Sequence, residues 1–135
     1  MTVVPEGEAC YCGKKGCLDA YCSAKRLADF ADGRLETFFE RLRQKDADTV
    51  KRWEEYTTYL SLAVNNIHLI LDCDIILGGY VGSCLEEHMQ EIRDKVSRRN
   101  TFEEGGGFVR SCHYREGMAA LGAAFHVIDD FVARI

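Results

Sequence analysis

The feature that most constrains this chain is a short run near its start, Cys10-Tyr11-Cys12-Gly13-Lys14-Lys15-Gly16-Cys17-Leu18-Asp19. Three thiols fall within eight positions, and the two glycines between them let the backbone curl tightly. Thiolates are soft ligands suited to Zn(II), so Cys10 and Cys12 can grip one ion from a turn while Cys17 supplies a third sulfur. Structural zinc is almost always four-coordinate. The fourth donor is open among His68, His88, His113, His126, Cys22, an acid, or a group outside the chain. No second CxxC or HxxxH half follows, and an ordinary turn holding three reduced cysteines also satisfies the spacing. Disulfides fit less well: seven cysteines is an odd number and no signal peptide precedes them, which agrees with a reducing cytoplasm.

A chain of 135 residues with 47% hydrophobic content forms one modest core, and a single proline with 29% charged residues argues against disorder. The net charge of -5 leaves no electrostatic footprint for nucleic acid. The longest apolar runs are too short to span a bilayer, and neither an internal repeat nor a low-complexity linker is present. The expectation is one cytoplasmic structural unit without membrane or nucleic-acid partners.

Periodicity predicts the elements. Residues 18–31 read as a helix starting directly from the cysteine turn and stopping at Asp32-Gly33. Leu35, Phe38, Phe39 and Leu42 give a second, short helix. Asp46 or Asp48 caps a long third one, with an inner stripe through Val50, Trp53, Tyr56, Leu60, Ala63, Val64, Ile67, Ile70 and Leu71. Asn65, Asn66 and His68 read as satisfied polar groups on that helix. The run Ile75-Ile76-Leu77, stopped by Gly78-Gly79, looks like a central parallel strand before a turn. Leu85, Met89, Ile92 and Val96 line one side of the next helix, whose basic tail, Arg93, Lys95, Arg98 and Arg99, reads as a solvated face. Gly105-Gly106-Gly107 is a turn rather than a phosphate loop, because no lysine follows it. A strand over 108–112 and a helix over 115–134, with Met118, Leu121, Phe125, Ile128 and Phe131 inward, complete an α/β order with a short sheet.

The string CYCGKKGCLDAYCSAKRL resembles the signature of the ROK family of sugar-responsive repressors and sugar kinases, Cys-x-Cys-Gly-x-x-Gly-Cys-Leu-Glu preceded by a histidine. Two further landmarks follow in the family's order. Asp74-Ile75-Ile76-Leu77-Gly78-Gly79 resembles its buried strand and double glycine, and Gly117-Met118-Ala119-Ala120-Leu121-Gly122 its small-residue terminal helix.

The resemblance implies the C-terminal portion of an actin-like, ribonuclease-H-like ATPase-type domain, helix-rich with a partly missing sheet. Residues 1–135 form one incomplete domain, a zinc knuckle over 1–22 and a C-terminal lobe over 23–135. The family's histidine falls one place before Met1, and its phosphate loop and catalytic aspartate have no counterpart here, so the chain alone is expected to be non-catalytic. Zn(II) is structural, held by Cys10, Cys12 and Cys17. Asp19 stands where the family carries its sugar-binding glutamate, one methylene shorter. Gly78 and Gly79 match the double glycine that approaches the nucleotide, with ATP-Mg implied only for a kinase. Aspartate in place of glutamate favours the sugar-sensing part of a transcriptional regulator, with a sugar-kinase fragment and a non-catalytic dimerising fragment as alternatives. The short sheet leaves an open edge, for which homo-oligomerisation is the expected remedy.

Overall fold

The computed structural model describes residues 1–102, 105–112 and 118–134. His113, Arg115 and Gly117, singled out above, lie outside the described residues. The N-terminal segment folds as a knuckle, with Thr2 bridged to Cys17 and Ala9 to Lys15 in antiparallel fashion. Then follow α1 (Leu18–Cys22), α2 (Ala24–Phe30), α3 (Leu35–Arg43) and α4 (Ala47–Leu71). β1 (Ile75–Leu77) leads into α5 (Gly79–Gly82), a 3-10 turn (Glu86–His88) and α6 (Met89–Ser97), and β2 (Val109–Ser111) precedes α7 (Met118–Val132). β1 and β2 pair in parallel, Ile75 opposite Val109 and Leu77 opposite Ser111, the two-stranded sheet of the described residues.

The expected helix over 18–31 is two helices. Ser23 takes an extended conformation, φ -86° and ψ 149°, and its hydroxyl caps α2 by accepting from the Arg26 N–H. A serine side chain offers the backbone this local alternative to continuing a helix. The break lets α1 lie against α4, where Tyr21 is buried and its ring meets Tyr59 at 4.4 Å.

α4 is the central element. Its first turn is capped by Asp46, whose carboxylate accepts from the Thr49 N–H at 3.0 Å and from the Thr49 hydroxyl at 2.7 Å. The expected stripe holds at Trp53, Tyr56, Ala63 and Val64, which are buried. It fails at Val50, Ile70 and Leu71, which are exposed, while Thr49, Thr57 and Ser61 are fully buried. Those hydroxyls are tolerated because each has a partner: Thr57 donates to the Trp53 carbonyl at 2.9 Å and Ser61 to the Thr58 carbonyl at 2.9 Å. Asn65 is buried with its Oδ1 unpartnered among the described residues, so the expectation of satisfied polar groups fails there. His68 meets it, since its ring stacks on Phe108 at 3.5 Å and its Nδ1 lies 2.9 Å from the Cys73 carbonyl.

Around α4 gather Phe38 and Phe39 of α3 and Met89, Ile92 and Val96 of α6, joined by Val109 of β2. Trp53 stacks on Tyr56 at 5.5 Å and meets Phe39 edge-on at 5.7 Å. The basic tail of α6 is a solvated face only in part: Arg98 and Arg99 are exposed, whereas Arg93 and Lys95 are half-buried. Lys95 bridges Glu54 and Glu91, Arg99 donates to the Ser61 hydroxyl at 3.1 Å, and Arg93 donates to the Val109 carbonyl at 2.9 Å. Long cationic side chains cover apolar surface with their stems and deliver charge to partners on the neighbouring elements.

α7 departs most from expectation. Phe125, Ile128 and Phe131, placed inward by periodicity, are exposed, as are Val127 and Val132. Helical spacing identifies the apolar face, but burial needs a surface to meet it, and none of the described elements covers these side chains.

Candidate metal centre

The knuckle is built by backbone hydrogen bonds. The Cys10 N–H donates to the Lys14 carbonyl at 2.8 Å and the Gly13 N–H to the Cys10 carbonyl at 3.0 Å, which folds residues 10–14 into a tight turn. The Gly16 N–H donates to the Glu8 carbonyl at 2.8 Å, and the Gly16 carbonyl accepts from the N–H groups of Val3 and Val4. Gly16 has φ +69°, and a Cβ there would stand 1.6 Å from the Val4 carbonyl oxygen. No other residue fits where the strands cross.

This folding brings the sulfurs of Cys10, Cys12 and Cys17 within 4.8 Å of one another. Cys12 and Cys17 are 3.7 Å apart. Two thiolates on a tetrahedral ion at Zn–S distances of about 2.3 Å stand roughly 3.8 Å from each other, so the donor set fits zinc. The Lys14 backbone N–H, the neighbouring thiols assisting, holds the Cys12 thiol below its ordinary range. Cys17 is pushed up to about 11, first by its hydrogen bond with Cys12 and then by burial. Proton-bearing sulfurs share their hydrogens this way; a divalent cation would displace those protons and favour all three thiolates.

Among the described residues, Cys22, His68, His88 and His126 are not grouped with the three sulfurs. Cys22 points its thiol at the Tyr56 carbonyl, 3.4 Å away, and burial pushes it up to about 12. His68 is stacked on Phe108, and His88 lies between Phe39 and Trp53, with burial lowering its pKa. His126 is exposed on α7.

Asp19 is exposed in the first turn of α1. It lines two open clefts that meet at the knuckle. One, of about 340 Å³, also borders Cys10, Cys12 and Cys17. The other, of about 650 Å³, runs past Glu8, Ser23, Lys25, Arg26 and Phe30. An exposed carboxylate on a braced turn is suited to accept hydrogen bonds from hydroxyls. Gly78 and Gly79 follow the carboxyl end of β1, well separated in the chain from Asp19. Gly79 has φ +77° and starts α5, while a Cβ on Gly78 would meet that of Cys112 at 3.4 Å. Gly79 therefore has a local backbone reason, whereas at Gly78 an added Cβ would make only an ordinary van der Waals contact.

The sequence matches the ROK family over residues 1–130. The chain belongs to the ROK family. Among curated relatives, it is 25% identical over 126 residues to the N-acetylmannosamine kinase of Citrobacter koseri, covering 89% of this chain and 42% of that protein. It is 29% identical over 129 residues to the N-acetylmannosamine kinase of Escherichia coli O1:K1, with the same coverage. The ROK hexokinase of Thermus thermophilus superposes with a TM-score of 0.76 at 23% identity, covering 96% of this chain and 47% of the hexokinase. The ROK glucokinase of Streptomyces griseus, solved with glucose and AMPPNP, gives 0.61 at 23% identity, covering 82% of this chain and 44% of the glucokinase. This ROK chain thus spans less than half the length of these relatives, and its fold is a partial actin-like domain, helix-rich with a two-stranded sheet. Among the described residues no helix is long and apolar enough to cross a membrane.

Sequence reasoning missed how the knuckle is anchored. Tyr21 accepts from the Glu8 N–H at 2.8 Å, and Arg26 clasps the Glu8 carboxylate. Neither contact has a spacing signature, because both depend on the break at Ser23 that turns α1 back on the turn.

Proposed function

We propose that this chain is the sugar-facing part of a ROK sugar kinase. In this reading a structural Zn(II) on Cys10, Cys12 and Cys17 braces the turn that presents Asp19 to the hydroxyls of a hexose or N-acetylated amino sugar. The observation that carries it is the position of Asp19: two residues past the last thiol, exposed, and on the rim of a cleft shared with all three sulfurs. The zinc would brace and orient; no water activation is assigned to it. Gly78 and Gly79 would let backbone approach the phosphates of ATP-Mg. The catalytic base and phosphate loop have no counterpart here, so phosphorylation requires polypeptide beyond this chain.

The relatives and solved structures named above are kinases, which supports this reading over the transcriptional regulator expected from the sequence. The regulator reading retains one observation, aspartate rather than glutamate at position 19. Coding sequence upstream separates the two: a glycine-rich phosphate loop marks a kinase, a winged helix-turn-helix a regulator. The exposed apolar residues of α7 and the open sheet edges support self-association of the chain in isolation, which is also what a purely dimerising fragment would show.

The test is an NMR titration of isotope-labelled protein with N-acetylmannosamine and with glucose. Millimolar binding is expected, with shifts centred on residues 17–20 that disappear in Asp19→Asn. Shifts absent from that stretch with both sugars, or unchanged in the variant, overturn the assignment.

A further inference from the structure

The sulfurs of Cys12 and Cys17 are in direct contact, 3.7 Å apart, and that of Cys10 lies within 4.8 Å of both. Cys12 is exposed, and Cys10 and Cys17 are half-buried beside an open cleft of about 340 Å³. A small oxidant therefore reaches the cluster. Disulfide sulfurs stand about 2.05 Å apart, so the pair must close by roughly 1.7 Å.

The two partners differ in freedom. Cys17 is held by its bridge to Thr2, by the Leu18 N–H bond to the Met1 carbonyl at 2.8 Å, and by Gly16 packed against Val4. Cys12 sits at the tip of the turn beside Gly13, around whose Cβ direction nothing lies within 4 Å. Cys12 is thus exposed at a turn whose Gly13 is uncrowded, whereas Cys17 is braced on both sides. Cys22, the nearest thiol in sequence outside the cluster, is engaged with the Tyr56 carbonyl.

We infer that Cys12 and Cys17 form an oxidant-responsive dithiol, in which a disulfide competes with the metal for the same two sulfurs. Hydrogen peroxide serves as oxidant. The Cys12 thiolate attacks one peroxide oxygen, the O–O bond breaks, and the departing hydroxide takes a proton to become water. The resulting Cys12 sulfenic acid is attacked at sulfur by Cys17; the S–O bond breaks, and the hydroxyl leaves as a second water with the Cys17 proton. The two sulfurs together lose two electrons and the peroxide gains two. Cys10 is left as a single thiol, too few donors to retain zinc. The loss of metal rests on the zinc reading of the knuckle; the disulfide does not.

The experiment treats the 135-residue protein with hydrogen peroxide, once as purified and once after chelation, followed by alkylation and peptide mapping. Metal content is measured beforehand and zinc release during oxidation. The expected result is loss of two of the seven thiols, a Cys12–Cys17 linkage with Cys10 alkylated, stoichiometric zinc release, and reversal by dithiothreitol. Cys12→Ser and Cys17→Ser should abolish the linkage, and Cys22→Ser should leave it intact. Linkages dominated by Cys10 or formed between chains, or sulfinic acid at Cys12 without a disulfide in the chelated protein, overturn the inference. A Cys12–Cys17 disulfide in protein that held no zinc upholds the dithiol and removes the metal, so the two readings fail separately.

Discussion

Arg26 of α2 grips both carboxylate oxygens of Glu8 in the knuckle, with Nη2 2.8 Å from Oε1. The same guanidinium reaches Glu55 of α4 at 3.4 Å, and Glu55 accepts from Arg52 at 2.8 Å. A bidentate clasp thus ties the turn that carries the thiols to the helix at the centre of the fold.

The clasp makes knuckle docking sensitive to acid. The Arg26 hydrogen bond holds the Glu8 carboxyl below its usual range. A carboxyl whose pKa is depressed on folding contributes stability above its unfolded value, about 4.3, and loses it as pH falls through the lower folded value. Glu8→Gln should therefore be less stable than the parent at neutral pH, and the two urea midpoints should converge below about pH 4. Half-exposure of Glu8 limits the difference to under about 1 kcal/mol.

Gly16 and Gly13 predict a contrast between two glycines of equal sequence prominence. Gly16→Ala drives a methyl into the Val4 carbonyl and should cost more than about 2 kcal/mol. Gly13→Ala meets no atom and should cost only the left-handed backbone penalty, about 1–2 kcal/mol or less. Equal denaturation midpoints for the two variants would contradict the crossing at Gly16.

Metal removal should act on the knuckle rather than on the helical core. Elemental analysis is expected to find about one zinc per chain. Losing a group that merely orients a ligand costs 10–100-fold in metal affinity, so Cys10→Ser, Cys12→Ser or Cys17→Ser should each cost more than about 100-fold. Chelation should raise hydrogen exchange at residues 1–22 and leave α4 protected. Protein folded without zinc, with all three thiols titrating freely, would exclude the site.

Burial predicts opposite outcomes for two phenylalanines. Phe38 is fully buried against Phe39 and Trp53, so Phe38→Ala should cost about 3–5 kcal/mol. Phe131 is 66% exposed, so Phe131→Lys should leave chain stability within about 0.5 kcal/mol. Paired with Phe125→Lys, it should instead shift sedimentation toward the monomer, as the self-association reading requires.

Much of the fold was legible because its signals are local. The cap at Asp46, the helix faces of α3 and α6, and the strand at Ile75–Leu77 all follow from spacing over a few residues. The break at Ser23 was not legible, since a serine there is equally compatible with a continuous helix until α4 offers Tyr21 a place to bury. Nor was the burial of Thr57 and Ser61, whose neighbours Lys95 and Arg99 lie thirty-eight positions away.

The candidate site divides along the same line. The sequence by itself determined that three thiols, two glycines and an aspartate occur together in ROK order, because covalent adjacency places them on one turn. Only the tertiary structure decided that the sulfurs converge within 4.8 Å, that Gly16 must be glycine, and that Asp19 faces an open cleft. Those facts depend on Val4 lying against Gly16 and on the contacts of Glu8 with Tyr21 and Arg26. Spacing reports which residues are neighbours along the chain, whereas convergence, steric exclusion and exposure are set by what packs against them.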